Sequence, residues 1–520
     1  MKRRDFVKTT SLGAIGVPFV FQGVQMNTVL KKLFNYSKNA EDRVLVLIRL
    51  NGGNDGLNMV IPLDKYDNLV IQRENILIPQ NDIIGLGTGY LGLHPSMGGM
   101  ASMFDHGKLS ILQNVGYEQQ NRSHFKSMDI WTSGNIGGST DTGWLGRYFD
   151  SYNPDYPVGY PNEDYPHPFA ISMGYEVSTT CQGIVSNYSL AVQDPTNNAD
   201  LGTNISNPEN SYYGNHLAYI EGIINQSNVY GGHISDAVAA GNSLSTLYDE
   251  TSALAVHLRN IAKMISGGLK TKVYILNMTG FDTHDGQVVQ DDVANGVHAQ
   301  LLKTLSDAVA AFQDDLALLG IEERVLGMTF SEFGRQIASN ASFGTDHGDA
   351  APMFVFGSCI DSAVHGDNPD IPDQIINQKG IDVQYDFRDV YASILHDWFQ
   401  VAESEVQFLF EHQVNLIPIA RSCNGPVGIE EDILVRQGTY CYPNPCSEFT
   451  TIVFTSQNEQ VSLTLLDMNG RVIRNEFSKQ LGINEHHVKI EVNDLRAGNY
   501  FYLIEKASGS VKGRFQKIGR

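Results

Sequence analysis

Three apolar, β-branched runs stop abruptly at polar, glycine-bearing loops, and this pattern constrains the fold more than any other feature of the chain. Val44 to Leu50 runs into Asn51-Gly52-Gly53-Asn54-Asp55-Gly56, Val273-Tyr274-Ile275-Leu276 breaks at Gly280-Phe281-Asp282-Thr283-His284-Asp285, and Val325 to Phe330 ends in Ser331-Glu332-Phe333-Gly334-Arg335. Such runs are buried parallel strands whose exits deliver polar groups to one edge of a sheet. Between the last two lies a helical stripe of Val297, Leu301, Leu305, Phe312, Leu316 and Leu319, closed by Gly320. Strand, helix, strand implies a parallel sheet covered by helices. A fourth loop, Gly344-Thr345-Asp346-His347-Gly348, adds a carboxylate and an imidazole to the same expected edge. Carboxylates and imidazoles gathered there point to a metal centre.

The rest of the chain is read around this frame. A short helix is expected near Met97 to Phe104, a strand from Leu109 to Val115, and a helix from about Asn121 through Trp131 with Ser123 at or near its cap. Leu254, Leu258, Ile261 and Ile265 recur at helical spacing before Gly267-Gly268; Met353 to Phe356 reads as a strand and Tyr391 to Phe399 as a closing helix. Tyr148 to Pro168 and residues 185–215 read as irregular surface loops. From Tyr442 onward the texture becomes period-two alternation (Val461, Leu463, Leu465) with an Asn469-Gly470 hairpin, the pattern of a small antiparallel sandwich. The expected domains are an export signal at 1–32, an α/β body at 41–425, a linker at 426–440 and a β-sandwich at 441–520.

A formal net charge of -22, with no basic stripe beyond the N-terminus, argues against nucleic-acid or anionic-membrane partners. Lys2-Arg3-Arg4-Asp5-Phe6-Val7-Lys8 and the weakly apolar stretch after it resemble a twin-arginine export signal; Gly13, Gly16, Pro18 and Gly23 make that stretch a poor spanning helix. Export by the twin-arginine translocase would carry a folded, metal-loaded cargo. The five cysteines form no CxxC pair, so a thiolate metal site is not expected, and one disulfide is expected among Cys423, Cys441 and Cys446.

Tyr442-Pro443-Asn444-Pro445, Asp467-Met468-Asn469-Gly470-Arg471 and Leu495-Arg496-Ala497-Gly498-Asn499-Tyr500 together resemble the type IX secretion sorting domain. The resemblance implies handling by the type IX machinery, passage through the periplasm, and delivery to the cell surface or medium. A generic carbohydrate-binding sandwich is the alternative. The body resembles an uncharacterised bacterial domain-of-unknown-function family related to the alkaline phosphatase and sulfatase superfamily. The residues that carry this likeness are Leu50 to Asn58, Ser123-His124-Phe125, Gly280 to His284, Ser331 to Arg335 and Gly344 to Gly348. It implies an alkaline-phosphatase-like, mainly parallel sheet flanked by helices, with divalent metal ions (zinc, magnesium, manganese or calcium) and a hydroxyl nucleophile acting on phosphate or sulfate esters.

Carried onto these residues, the expected metal ligands are Asp55, Asp282, His284, Glu332, Asp346 and His347. Asp55 is otherwise a turn carboxylate, and Asp282 with His284 a structural pair. Ser123 is the nucleophile candidate, or simply an N-cap. His124 is a base, a ligand or a packed ring, and Arg335 or Arg122 would orient an anionic oxygen through a planar fork. The cysteine or serine followed by Pro and Arg that marks sulfatases is absent. The leading expectation is an exported metal-dependent hydrolase of small-molecule or glycan esters, and the alternative is a non-catalytic surface binding protein on the same fold.

Overall fold

The computed structural model describes residues 20–21, 24–25, 42–137, 141–196, 202, 211–376, 378–410, 412–421, 440–442, 446–456, 458–466, 471–482, 484–496, 498–507 and 509–517. The N-terminal segment read as a twin-arginine signal therefore lies outside the described residues, apart from one pair of two-residue strands, as do the linker, Cys423, Pro443 to Pro445 and Asp467 to Gly470. The chain divides into two compact units between Cys423 and Asn424. Among the described residues no helix is long and apolar enough to cross a membrane.

The body is built on one mixed, mostly parallel sheet. Its principal strands are β1 (Val44–Asn51), β2 (Leu109–Gly116), β3 (Ala170–Met173), β4 (Ser189–Val192), β5 (Val273–Thr279), β6 (Val325–Phe330) and β7 (Ala351–Gly357), with two-residue strands β8 (Val364–His365) and β9 (Tyr385–Asp386). Their order is β8-β2-β7-β6-β1-β5-β3-β4, with β9 also paired to β2. Only β7 runs antiparallel to its neighbours, β6 and β2. The reversal matters for the site, because the start of β7 lies at the same edge as the ends of β1, β2, β5 and β6: Ala351 sits opposite Val115, and Met328 opposite Val355.

Alternating residues of β1 feed two cores, as side chains on a strand must. Val44, Val46, Ile48 and Leu50 pack with α2 (Gly98–Asp105), the last turns of α5 (Tyr212–Ala240), α6 (Ala253–Ser266) and α7 (Val297–Leu318). Leu45 and Leu47 face the other layer, made by α3 (His124–Ser133), α4 (Trp144–Tyr152), α8 (Phe387–Ser393) and α9 (Glu403–Phe410). Helix α1 (Tyr66–Arg73) lies near the edge that carries the loops.

Several expectations are corrected. Val297 is half exposed, and the buried stripe of α7 is His298, Leu302, Leu305, Val309, Phe312 and Leu316, turned by about one residue. The closing helix begins at Phe387, because the Asp386 carboxylate caps the Arg388 amide, and it continues as a π turn over Ile394–Trp398. The end of α4 falls in the segment read as a loop from Tyr148, and only the first turn of the 29-residue α5 falls in the loop read over residues 185–215, the rest of that helix lying where no element was expected. Cys359, not a pair drawn from Cys423, Cys441 and Cys446, is disulfide-bonded, and Cys441 and Cys446 are thiols. Spacing along the chain could not show this, since Cys359 follows a central strand.

The described strands of the second unit pair antiparallel, with one isolated parallel bridge between Cys446 and Lys517. Strands β10 (Tyr440–Tyr442), β11 (Phe449–Ser456) and β14 (Asn484–Glu491) form one sheet, and β13 (Val472–Leu481), β12 (Glu459–Leu466), β15 (Gly498–Lys506) and β16 (Gly509–Lys517) the other. Ile452, Phe454, Val461, Leu463, Leu465, Ile490, Tyr502, Ile504 and Phe515 fill the core of this unit.

Candidate metal centre

Three loops at the common edge bring three imidazoles and a carboxylate together. Asp282 and His284 follow β5, His347 precedes β7, and His124 opens α3 after the loop from β2. Ligand atoms of His124, Asp282 and His347 all lie within 4.8 Å of one another. His347 Nε2 is 3.1 Å from Asp282 Oδ1, His124 Nε2 is 3.4 Å from Asp282 Oδ2, and His284 Nε2 is 2.9 Å from His347 Nε2 and 3.2 Å from Asp282 Oδ1.

The outer nitrogen of each ring fixes which way its lone pair points. His347 Nδ1 donates to the Arg122 carbonyl at 2.9 Å, His284 Nδ1 to Asp346 Oδ1 at 2.9 Å, and His124 Nδ1 to Glu332 Oε1 at 2.9 Å. A carbonyl or carboxylate oxygen only accepts, so in each neutral ring Nε2 is left as a bare acceptor. Three lone pairs then face one another and the Asp282 carboxylate, an arrangement that repels itself until a cation sits among them. Imidazoles held by carboxylates through the far nitrogen are a recurrent way to orient metal ligands. The donor set therefore fits a divalent ion, with nitrogen-rich ligation suited to zinc.

Electrostatics agree with this. Burial, the largest influence on Asp282, would raise its pKa, but the Arg335 hydrogen bond and charge and the neighbouring His347 and His124 rings together hold it below the usual carboxylate range. Burial lowers the His347 pKa, and its nearness to Asp282 restores only part of that, which favours the neutral ring. The His284 bond, with Asn340, keeps the Asp346 pKa low against burial.

The remaining expected residues stand behind this cluster. Glu332 is fully buried: Oε1 accepts from His124 and from the Gly52 amide at 2.9 Å, and Oε2 has no hydrogen-bond partner. Glu332 and Asp346 thus each hold the outer nitrogen of a ring, His124 and His284 respectively. Asp55 lies in a different setting. It is 1% exposed and lies against Arg73 Nη1 at 3.0 and 3.1 Å, with Gln287 Nε2 at 2.7 Å. Burial would raise its pKa, but the Arg73 charge, with help from Gln287, keeps it low. It is not among the residues gathered at the cluster.

Arg335 is spent on the scaffold. Nε donates to the Gly53 carbonyl, Nη1 to Thr345, and Nη2 to Gly52, Phe281 and Asp282 Oδ1, so its buried fork rivets three loops and offers no face to an anion. Arg122 is a two-pronged partner of Asp349, at 2.9 and 2.7 Å. Ser123 is exposed at the cap position of α3, beside both His124 and Arg122, and makes no side-chain cap bond. Gly52 needs its absent side chain: at φ 128° a Cβ would meet the Asp282 nitrogen at 2.3 Å.

Sequence reading missed Arg73, Gln287 and Asp349, and also Phe333, whose ring lies 4.9 Å from His124 and 4.5 Å from His347. Gln287 links the layers, since its Oε1 accepts from Thr283 and Thr345 at 2.9 Å each. Its place three residues after His284 was the one available signal.

Among solved structures, the chain is similar to the PsFucS1 sulfatase from Pseudoalteromonas sp. (10% identity, 90% of this chain and 87% of that one, TM-score 0.29). It is also similar to an alkaline phosphatase superfamily protein from Vibrio parahaemolyticus (11%, 85% and 83%, TM-score 0.27) and to the phosphonate monoester hydrolase SpPMH from Silicibacter pomeroyi (9%, 91% and 89%, TM-score 0.31). Likeness this faint carries no argument about chemistry. No curated protein matches the chain. Family models match in two places, "Protein of unknown function (DUF1501)" over residues 263–416 and "Secretion system C-terminal sorting domain" over residues 440–517. The chain thus carries a DUF1501 region that includes Asp282, His284, Glu332, Asp346 and His347, and it ends in a secretion-system sorting domain.

Proposed function

We propose that the body is a metal-dependent hydrolase of phosphate or related esters, exported and finally displayed at the cell surface or released. The observation that carries this reading is the set of three pinned imidazoles whose Nε2 atoms converge on Asp282. His124, Asp282, His284 and His347 would hold the ion, which when bound supplies Lewis-acid polarisation of an ester oxygen. Glu332 and Asp346 keep two of the rings from turning away. Ser123, exposed one residue before His124, would be the attacking hydroxyl, giving up its proton and forming an ester bond to its Oγ as the alcohol leaves; water then frees the serine. The side chains of Asp282 and His284 are nearly half exposed, so substrate has access.

The sorting domain supports type IX handling of the chain, and the Arg3-Arg4 segment supports entry to the periplasm by the twin-arginine route. A second reading, a surface protein that binds without turnover, is favoured by a different observation: neither Arg122 nor Arg335 has a guanidinium free to meet an anion. Zinc-, manganese- and calcium-loaded protein assayed with an ester panel, beside Ser123→Ala, separates these. Turnover that depends on metal and falls in the serine variant is expected for the hydrolase. Equal turnover in both proteins rejects Ser123 as nucleophile, and metal binding without turnover of any ester selects the second reading.

A further inference from the structure

We infer that Arg49 is the cation through which the site holds the charged end of its ligand, the rest of which lies over the end of β5; this rests on the proposed function above and names the residue that reads the ligand. Strand alternation puts Arg49 on the face of β1 that carries Leu45 and Leu47, the side covered by α3 and α4. Its register partners are Asn277 on β5 and Phe330 on β6. On this face Ile275 is buried, but Asn277 and Thr279, further along β5, are exposed. An inner strand of a sheet flanked by helices is normally covered on both faces. Strand β5 lies between β1 and β3, so its two exposed residues mark an open trough over the sheet. Tyr175 and Glu176, just after β3, are exposed as well and border the trough on that side.

Arg49 differs from the other guanidiniums at this edge in that most of its donors are unspent. Arg73, Arg122 and Arg335 are each bonded to a carboxylate, of Asp55, Asp349 and Asp282 respectively. Arg49 gives one bond, from Nη2 to Asn51 Oδ1 at 2.7 Å, and makes no ion pair among the described residues. Its Nε is buried with no hydrogen-bond partner. A guanidinium carries five N–H donors, and a buried donor without an acceptor calls for one from outside the fold. Burial opposes the charge of Arg49, and Glu332 and Glu176 favour it without closing an ion pair. Glu332 also ties Arg49 to the centre, since its Oε1 lies 2.9 Å from His124 Nδ1. A planar fork with free donors recognises the paired oxygens of a carboxylate, sulfate or phosphate group. The uncharged Asn277 and Thr279 side chains are then left for the part of the ligand that carries no charge.

The test separates ligand binding from support of Glu332. Phenylphosphonate is titrated calorimetrically into the zinc-loaded full chain, as wild type, Arg49→Gln, Arg49→Lys and Asn277→Asp, with zinc content and melting temperature recorded for each. Arg49→Gln is expected to bind roughly tenfold or more weaker with its zinc retained, and Arg49→Lys, which keeps the charge without the fork, to recover part of that loss. Asn277→Asp sets a carboxylate opposite Arg49 at an exposed position and is expected to weaken binding by a similar factor with the melting temperature unchanged. Wild-type affinity in zinc-loaded Arg49→Gln overturns the inference and leaves the proposed function standing. Loss of zinc in both Arg49 variants, with unchanged binding in Asn277→Asp, makes Arg49 a counter-charge for Glu332 and overturns it too. Failure of the zinc-loaded wild type to bind phenylphosphonate, with no ester turned over, removes both.

Discussion

Replacing Asp55 with asparagine separates two roles that one residue at a strand exit can have. The Asp55 carboxylate and the Arg73 guanidinium are 1% and 0% exposed, and Nη1 lies 3.0 and 3.1 Å from the two oxygens. An amide of the same shape leaves the arginine charge buried with half its acceptor. Whichever way it turns, its NH2 meets Arg73 Nη1, and in one orientation Gln287 Nε2 as well, both donors. Gln287 cannot flip to accept, because its Oε1 already serves Thr283 and Thr345. Breaking a buried pair on one side costs about 3–5 kcal/mol. For a body of roughly 380 residues the unfolding entropy is about 0.8 kcal/mol/K, so the midpoint should fall by about 5 °C. Differential scanning calorimetry of Asp55→Asn in chelator reads that loss directly, and metal analysis of the reloaded variant should match wild type. A variant that keeps its metal-free midpoint but no longer retains the ion would refute this reasoning and make Asp55 a ligand.

Other consequences follow from neighbouring contacts. Glu332→Gln keeps the volume but weakens the hold on His124 Nδ1, and zinc affinity measured by competition with a chelating dye should drop roughly 10- to 100-fold. His298 and His94 are buried and neutral, with desolvation as the main cause lowering their pKa values to about 4 and about 3. Because each binds its proton more weakly folded than unfolded, stability is complete above about pH 6.5 and declines as pH falls toward 4. The His298 share is about 3 kcal/mol over that range, and denaturant melts of His298→Gln should show a shallower acid slope. Gly52→Ala forces a Cβ to within 2.3 Å of the Asp282 nitrogen; it should lower the melting temperature and reduce metal retention together, and normal retention would contradict the close packing of the two loops.

What the sequence made legible was the edge, not the orientation of groups on it. The stops after Leu50, Leu276 and Phe330 fall where β1, β5 and β6 deliver their loops, since a buried parallel strand must be apolar on both faces and its exit need not be. Ser123 appears at the start of a helix as expected, though without its cap bond. Whether a carboxylate faces an ion or a histidine's far nitrogen depends on partners distant in the chain, so Glu332 and Asp346 read like ligands. Asp55 read the same way because Arg73 sits on a separate helix with nothing to mark it as buried. Helix α5 escaped notice because its first half buries little, and Gly222, Gly231 and Gly232 blur its period. The reversed direction of β7 is set by which neighbours it meets in space, which an apolar run does not encode.

Stoichiometric titration of the chelator-stripped full chain with cobalt(II), followed by absorption spectroscopy and metal analysis, addresses the centre itself. One ion per chain with nitrogen-rich visible bands, lost on substitution of His347 or Asp282 by alanine but kept in Asp55→Asn, is the predicted result. Absence of a bound ion in the wild-type chain, or undiminished binding in His347→Ala, would contradict the account.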